Sequence, residues 1–404
     1  MARPVRIFIS AGEASGDLYG ASMMEALGER LGGIDCFGCG GDRMRTAGCR
    51  TLVDAQRIAM VGLVEVIPGL RRAWNALRSL RQAIERERPQ LAILIDFPDF
   101  NLRLARHLKR AGIPVLYFVA PQVWAWRMWR LRTIRNTVAR LLCIFPFEEE
   151  FFRKAGVSVE FVGHPLVERV RPSLSAEEFR NRLSLPLDAT LIALLPGSRE
   201  KEVLLNLPRM LAAARLLAAT RNCCFVLPVA STIRAHWVRS QTASAGVPIA
   251  VVENSTYDAV AHSQAAIVAS GTAATETALL GTPMAIVYRV SGLSWFLGHW
   301  LIHVPFYSMV NLVAGRLIVR EFIQNQFQPQ AVAREIGSLL DTPKLHQLMQ
   351  DNLKDFARRL RRIPRLEEIS NESGGSKPGQ IFDSIQRAAA IAESILRGEG
   401  MNQP

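Results

Sequence analysis

The sequence lacks most of the short signatures that would settle its chemistry at once. No zinc finger, RNP motif or other nucleic-acid signature accompanies its positive charge. There is no G-x-G-x-x-G: neither Ala11-Gly12-Glu13-Ala14-Ser15-Gly16-Asp17 nor Gly38-Cys39-Gly40-Gly41 meets that fingerprint, which argues against a nicotinamide cofactor. There is no D-x-D of the kind that holds a metal-bound nucleotide sugar; the acidic motif present is D-x-x-D, Asp96 to Asp99. Cysteine is sparse, 6 in 404 residues, too few for a secreted disulfide framework. Cys36 and Cys39 form a C-x-x-C near Cys49, without the second pair a structural zinc needs. The N-terminal MARPVRIFISAGE runs into a strand without the apolar core of a signal peptide, so a cytoplasmic location is expected.

What is present is a globular chain, 49% hydrophobic and 21% charged, long enough for two domains. The formal net charge of +13 favours anionic partners such as acidic lipid headgroups or phosphorylated substrates. From Val290 to Gly315 there is no Asp, Glu, Lys or Arg, but two His, Pro305 and Asn311 argue for a binding-site wall or membrane-facing surface over a spanning helix.

Strand–turn–helix units recur. Val5 to Ser10 reads as a strand, with a helix from near Leu18. Gln90 to Ile95 is a buried strand ending in Asp96-Phe97-Pro98-Asp99-Phe100-Asn101, where open α/β sheets place their sites. Asp99 or Asn101 is expected to cap the next helix, leaving Asp96 for chemistry. Strands at Val115 to Val119, Ala139 to Ile144 and Val159 to Val162 complete a first Rossmann-like domain. Trp124 and Trp126 beside Arg127 suit a ring stack or lid. After a polar linker, Arg169 to Ala189, the pattern restarts at Thr190 to Leu195, followed by Pro196-Gly197-Ser198-Arg199. Strands Cys223 to Pro228, Ile249 to Val252 and Met284 to Tyr288 follow, and Val319 to Gln328 reads as helical.

Two turns in this second domain suit a phosphate. Ser270-Gly271-Thr272 breaks the apolar run Ala265 to Ala269 and opens a helix whose first N–H groups are unpaired. Glu276, a turn further on, is placed for a ribose. Arg199 follows the domain's first strand and offers a guanidinium fork to a pyrophosphate, with an ion pair to Glu200 or Glu202 as the plainer alternative. In the first domain, Leu70, Trp74, Leu77, Leu80 and Ile84 recur at helical spacing with arginines mostly off the stripe. With Val66 and Ile67 they suit a surface helix packed on the sheet, or one that docks on anionic lipid.

The motifs AGEASGD, GDRMRTAGC, MVGLVEV, IDFPDFN, PQVWAWR, FVGHP, LLPGSRE, ASGTAATE and NLVAGR, in this order over most of the chain, resemble lipid-A-disaccharide synthase. The resemblance implies an α/β GT-B fold: two Rossmann-like doubly wound domains facing a cleft, over residues 1–168 for the acceptor and 169–368 for the nucleotide sugar. Residues 369–404 would form a loop and final helix packed on an N-terminal domain, its own or a partner's. The Ser/Gly-rich Ser370 to Gly379 departs from the family.

The resemblance further implies an inverting, metal-independent transfer without a cofactor. UDP-2,3-diacylglucosamine and 2,3-diacylglucosamine 1-phosphate would give a β-1,6-linked disaccharide and UDP. Asp96 would be the base, with Glu13 second. Gly197, Ser198, Arg199, Ser270, Gly271, Thr272, Glu276 and Asn311 would hold UDP, and Ser15, Val66, Ile67, Leu70, Trp74 and Leu77 would face acceptor and membrane. A peripheral association with the inner face of the cytoplasmic membrane and a homodimer with exchanged C-terminal segments also follow; a nucleic-acid partner does not. Another GT-B enzyme acting on a UDP-sugar or lipid-linked sugar would share the domain pair.

Overall fold

A computed structural model describes residues 4–55, 66–290, 304–361 and 383–398, with the side chains of 66–70 outside the description. The chain divides into two compact units, Met1–Pro165 with Leu360–Pro404, and Leu166–Arg359.

Unit one is a seven-stranded parallel sheet in the order β3-β2-β1-β4-β5-β6-β7. Its elements are β1 (Val5–Ala11), α1 (Ala14–Leu31), β2 (Ile34–Gly40), α2 (Asp42–Thr46), β3 (Arg50–Asp54), α3 (Val66–Glu87), β4 (Leu91–Ile95), α4 (Pro98–Arg110), β5 (Val115–Phe118), α5 (Arg130–Thr137), β6 (Arg140–Cys143), α6 (Pro146–Lys154) and β7 (Val159–Phe161). Leu91 to Ile95 is buried throughout, as a central parallel strand covered on both faces requires. The final helix, α15 (Ser384–Leu396), packs its Ile385, Ala388 and Ala392 side against this unit beside α1, and Arg30 pairs with Glu393 at 2.7 Å.

Unit two is a six-stranded parallel sheet in the order β10-β9-β8-β11-β12-β13. It comprises α7 (Ala176–Arg182), β8 (Thr190–Leu195), α8 (Glu200–Ala218), β9 (Cys223–Val229), α9 (Ala235–Thr242), β10 (Ile249–Glu253), α10 (Thr256–Ala261), β11 (Ala265–Ala269), α11 (Thr272–Leu279), β12 (Met284–Tyr288), α12 (Met309–Ala314), β13 (Arg320–Ile323), α13 (Pro329–Asp341) and α14 (Pro343–Leu360).

The structure departs from the expected local structure at several places. The first helix starts at Ala14, not Leu18, because Glu13 is extended and its carbonyl already accepts from Asp17 N at 2.8 Å. Neither Asp99 nor Asn101 is the cap of α4. Phe97 takes that position in a left-handed conformation and Pro98 fills N1, where its missing N–H costs nothing. Within the supposed linker, Ser175 and Glu178 form a capping box that nucleates α7. Val319 to Gln328 is not helical: Arg320–Ile323 pairs with Met284–Tyr288 as an edge strand, and only Gln324–Gln326 makes a short 3-10 turn. Cys36 and Cys39 both lie on β2, three residues apart and so on opposite faces, and cannot converge on one ion. Burial pushes both thiols up, Cys39 to about 12. Ser370 to Gly379, Val61, Leu63, Val64 and residues 291–303 of the uncharged segment lie outside the described residues.

Candidate active site

In both sheets the strand order reverses once, between β1 and β4 in unit one and between β8 and β11 in unit two. At such a switch point the turns leaving two adjacent strands diverge to opposite faces, and the gap at their carboxyl ends is where ligands sit. The sequence puts its chemistry at these two places. Glu13 leaves β1 and Asp96 leaves β4, whose last residues Ala11 and Ile95 are register partners. Ser198-Arg199 leaves β8 and Ser270-Gly271-Thr272 leaves β11, whose ends meet at Leu195 and Val268.

The turn carrying Asp96 is strained. Asp96 and Phe97 have φ of 46° and 51°, two consecutive non-glycine residues in the left-handed region. Such residues cost about 1–3 kcal/mol each and persist only where neighbours over-determine them. Here the neighbours are identifiable. The Asp96 carbonyl accepts from Tyr117 Oη at 2.6 Å and from Asn101 Nδ2 at 2.7 Å. Asn101 is fully buried, and its Nδ2 also reaches the Ile95 and Ser10 carbonyls while its Oδ1 accepts from Ser10 Oγ at 2.7 Å. The Phe97 ring lies against Gly12, where an added Cβ would stand 2.1 Å from it, so only glycine fits there.

The Asp96 side chain is left within electrostatic reach of Glu13. Burial, and secondarily the Glu13 charge, raise its pKa to about 6. A carboxylate with that pKa is more basic than a surface aspartate yet largely ionised at neutral pH, the poise a general base needs.

The turn after β5 is held on both sides. Trp124 Nε1 donates to Glu148 Oε1 at 3.1 Å. Glu148 is buried at the start of α6, and burial raises it to about 8. Arg127 and Arg130 both bond Asp99, and the Arg127 guanidinium lies 4.0 Å from the centre of the Trp126 ring. Trp124 is thus an anchor, and Trp126 is the ring that stacks.

In unit two, Gly271 has φ 151° and precedes α11 without a side-chain cap. The Ser270 hydroxyl does not cap the helix; it donates to the Tyr307 carbonyl at 3.2 Å. Gly271 and Thr272 are exposed. Glu276 accepts from Tyr257 Oη at 3.1 Å, and burial raises its pKa. Gly197 has φ 130°, and Ser198 N donates to Glu202 Oε2 at 2.9 Å, while Arg199 Nη1 meets Glu202 Oε1 at 3.2 Å. One carboxylate therefore sits on the backbone N–H and guanidinium that suit a phosphate, so the expected ion pair and the expected anion site are the same place.

The chain matches the family model described as Lipid-A-disaccharide synthetase over residues 7–370. It is 45% identical over 394 residues to a lipid-A-disaccharide synthase of Solibacter usitatus, covering 98% of each chain. It is 46% identical over 358 residues to one of Syntrophus aciditrophicus, covering 88% of this chain and 93% of that one. The chain belongs to the lipid-A-disaccharide synthase family. Solved structures add the fold. A putative UDP-N-acetylglucosamine 2-epimerase from Listeria monocytogenes aligns with TM-score 0.61 at 12% identity over 99% of each chain. The calicheamicin glycosyltransferase CalG4 aligns with TM-score 0.59 at 14% identity over 98% of this chain and 99% of its own. Two Rossmann-like parallel-sheet domains of GT-B type are thereby shown.

Within this lipid-A-disaccharide synthase family member, two expected site residues are placed elsewhere. Asn311 is fully buried, with Nδ2 donating to the Val319 carbonyl and Glu321 Oε1, both at 2.8 Å, and Oδ1 accepting from Ile318 N and Val319 N. It ties α12 to β13 and points no donor at a ligand. Leu77 is 1% exposed and belongs to the core under α3, whereas Trp74 on the same helix is 61% exposed. Ser15 is exposed in the first turn of α1. The backbone of Val66, Ile67 and Leu70 is helical, and their side chains lie outside the described residues. Tyr117, Glu148 and Tyr257 were not singled out by sequence reasoning; a polar atom on an otherwise apolar strand, as in Val115–Phe118, was the one signal available for Tyr117.

Proposed function

We propose that this protein transfers the diacylglucosaminyl group of UDP-2,3-diacylglucosamine to O6 of 2,3-diacylglucosamine 1-phosphate, giving the β-1,6-linked lipid A disaccharide 1-phosphate and UDP. Family membership over nearly the whole chain supports the reaction, and the observation that carries the chemistry is Asp96: a carboxylate raised to about 6 at the switch point of unit one. Asp96 removes the proton from O6 as that oxygen attacks the anomeric carbon from the face opposite UDP, which inverts the α configuration to β. Glu13 raises the basicity of Asp96 and orients the acceptor.

On unit two, the pyrophosphate of UDP takes the place of Glu202 against Ser198 N and Arg199, and lies over the N-terminus of α11 at Gly271 and Thr272, with Gly197 and Gly271 allowing close backbone approach. Glu276, steadied by Tyr257, accepts from the ribose. Fixed positive charge then meets the developing charge on the leaving group. Arg199→Ala is expected to weaken UDP binding by about 10–100-fold, the worth of charge-assisted bonds; an unchanged dissociation constant by calorimetry would refute the role. Because Arg199 and the helix N-terminus supply this charge, EDTA should leave the rate unchanged, and strong inhibition reversed by magnesium would overturn the metal-independent route.

Among the described residues no helix is long and apolar enough to cross a membrane. We place the protein at the inner face of the cytoplasmic membrane, docked through the Trp74 side of α3, where Arg71, Arg72 and Arg78 are also exposed. A homodimer exchanging its C-terminal helices would make the Arg30–Glu393 pair intermolecular. The decisive assay supplies both diacylated precursors and follows UDP and disaccharide together. UDP released without disaccharide, or no reaction of these precursors while separately supplied UDP-N-acetylglucosamine is epimerised, would favour another enzyme of this fold.

A further inference from the structure

The reaction proposed above leaves one charge unaccounted for: the acceptor carries a phosphate at C1, and the ring oxygen links C1 to C5, which bears the CH2OH whose O6 Asp96 would deprotonate. An anion there needs a cationic partner in unit one, close to Asp96 but separate from it. We infer that Arg127, braced by Asp99, Arg130 and Trp126, is the subsite for the acceptor's phosphomonoester.

Position comes first. Asp99 lies three residues beyond Asp96, in the first turn of α4. Tyr117, whose hydroxyl holds the Asp96 carbonyl, also lies within the electrostatic reach of Asp99 and Arg130. The arginine cluster therefore belongs to the same carboxyl edge of the sheet as the candidate base, next along in the β4-to-β5 direction.

The second point is construction. Arg130 is buried, with its side chain 5% exposed, and is neutralised by Asp99. Arg127, at 35% exposure, shares the same Asp99 oxygen at 2.7 Å. Two guanidinium groups on one carboxylate leave one net positive charge, and it resides on the more exposed of the two. A guanidinium has five N–H donors, and among the described residues Arg127 directs Nη1 to Asp99. Its other edge remains able to grip a phosphate, for which the fork geometry is suited.

The third point is rigidity. Arg127 has φ 61°, and its guanidinium stacks on the Trp126 ring. The turn is pinned before it by the Trp124–Glu148 bond and after it by Arg130 N donating to the Arg127 carbonyl at 3.0 Å. An exposed arginine ordinarily loses side-chain freedom on binding; this one has already been ordered by its neighbours. A solvated surface arginine needs none of this bracing.

The test compares two acceptors in one enzyme preparation, 2,3-diacylglucosamine 1-phosphate and the same molecule with a free anomeric hydroxyl. The ratio of their kcat/KM values is independent of the folded fraction. The unmodified enzyme should prefer the phosphorylated acceptor, and Arg127→Ala should reduce that preference by about 10–100-fold, chiefly through KM for the phosphorylated acceptor. Arg127→Lys, which keeps charge but not the fork, should fall between. A preference that survives Arg127→Ala, or a variant that slows both acceptors equally, would overturn the subsite and leave the arginine a loop brace. Absence of disaccharide from the unmodified enzyme with either acceptor would instead defeat the reaction itself.

Discussion

Asp96→Asn is expected to lower turnover by roughly a thousandfold while leaving UDP affinity unchanged, within the range that loss of a general base produces. The asparagine preserves shape and cannot take a proton, and the backbone clamp on residue 96 works through its carbonyl and so survives the change. The pH profile supplies the second half of the test. Burial and Glu13 hold the Asp96 pKa at about 6, so kcat/KM should fall below that pH, as the base becomes protonated, and level off above it. Glu13→Gln removes one of the two causes and should move the acid limb to lower pH while most turnover remains. If Glu13→Gln abolishes turnover and Asp96→Asn does not, the two carboxylates exchange roles. Normal turnover in Asp96→Asn would remove the base assignment outright.

The largest effect on stability is expected where sequence reasoning had placed a membrane contact. Leu77→Ala should destabilise unit one by about 2–5 kcal/mol, the range for truncating a buried leucine that its surroundings cannot refill. Leu77 packs with Leu80 and Ile84 beneath α3, in the same core as Leu104 and Leu108 of α4. Trp74→Ala should change stability by no more than about 0.5 kcal/mol, as for an exposed site, yet weaken binding to anionic vesicles. Denaturant unfolding and vesicle co-sedimentation on both variants separate the roles. A Leu77→Ala protein of parental stability would contradict the core placement, and a Trp74→Ala protein that sediments like the parent would contradict the docking face.

The confusion of Leu77 with Trp74 has a geometric origin. At 3.6 residues per turn, Trp74 lies about 60° from Leu77 on one side and Leu80 about 60° on the other. Spacing alone joins all three in one apolar stripe, while the sheet covers only the Leu77–Leu80 side. The two halves of the fold were legible because buried parallel strands such as Leu91–Ile95 and Ala265–Ala269 are uninterrupted apolar runs closed by glycine or acidic turns. β2 escaped because IDCFGCG holds a strand with cysteines and glycines in place of β-branched residues; Gly38 is needed there, since a side chain would meet the Ile9 carbonyl. β13 escaped because pairing at the sheet edge, not local preference, makes Arg320–Ile323 extended. Asp96 was legible as the acidic residue ending a buried strand. What fixes it was not, because Tyr117 and Asn101 act from other elements and no local pattern announces a contact between strands.

The return of α15 to unit one has a consequence for how the chain is made. Residues 1–165 leave the ribosome first, but the helix that covers α1, and supplies Glu393 to Arg30 and Arg387 to Glu160, emerges only after the whole of unit two. At about 5–20 residues per second, that delay amounts to roughly 10–50 s. During translation the nascent first unit must wait with part of its apolar surface uncovered, while the inserted second unit, contiguous in sequence, can fold to completion. Deleting residues 384–396 would therefore damage the unit that is synthesised first.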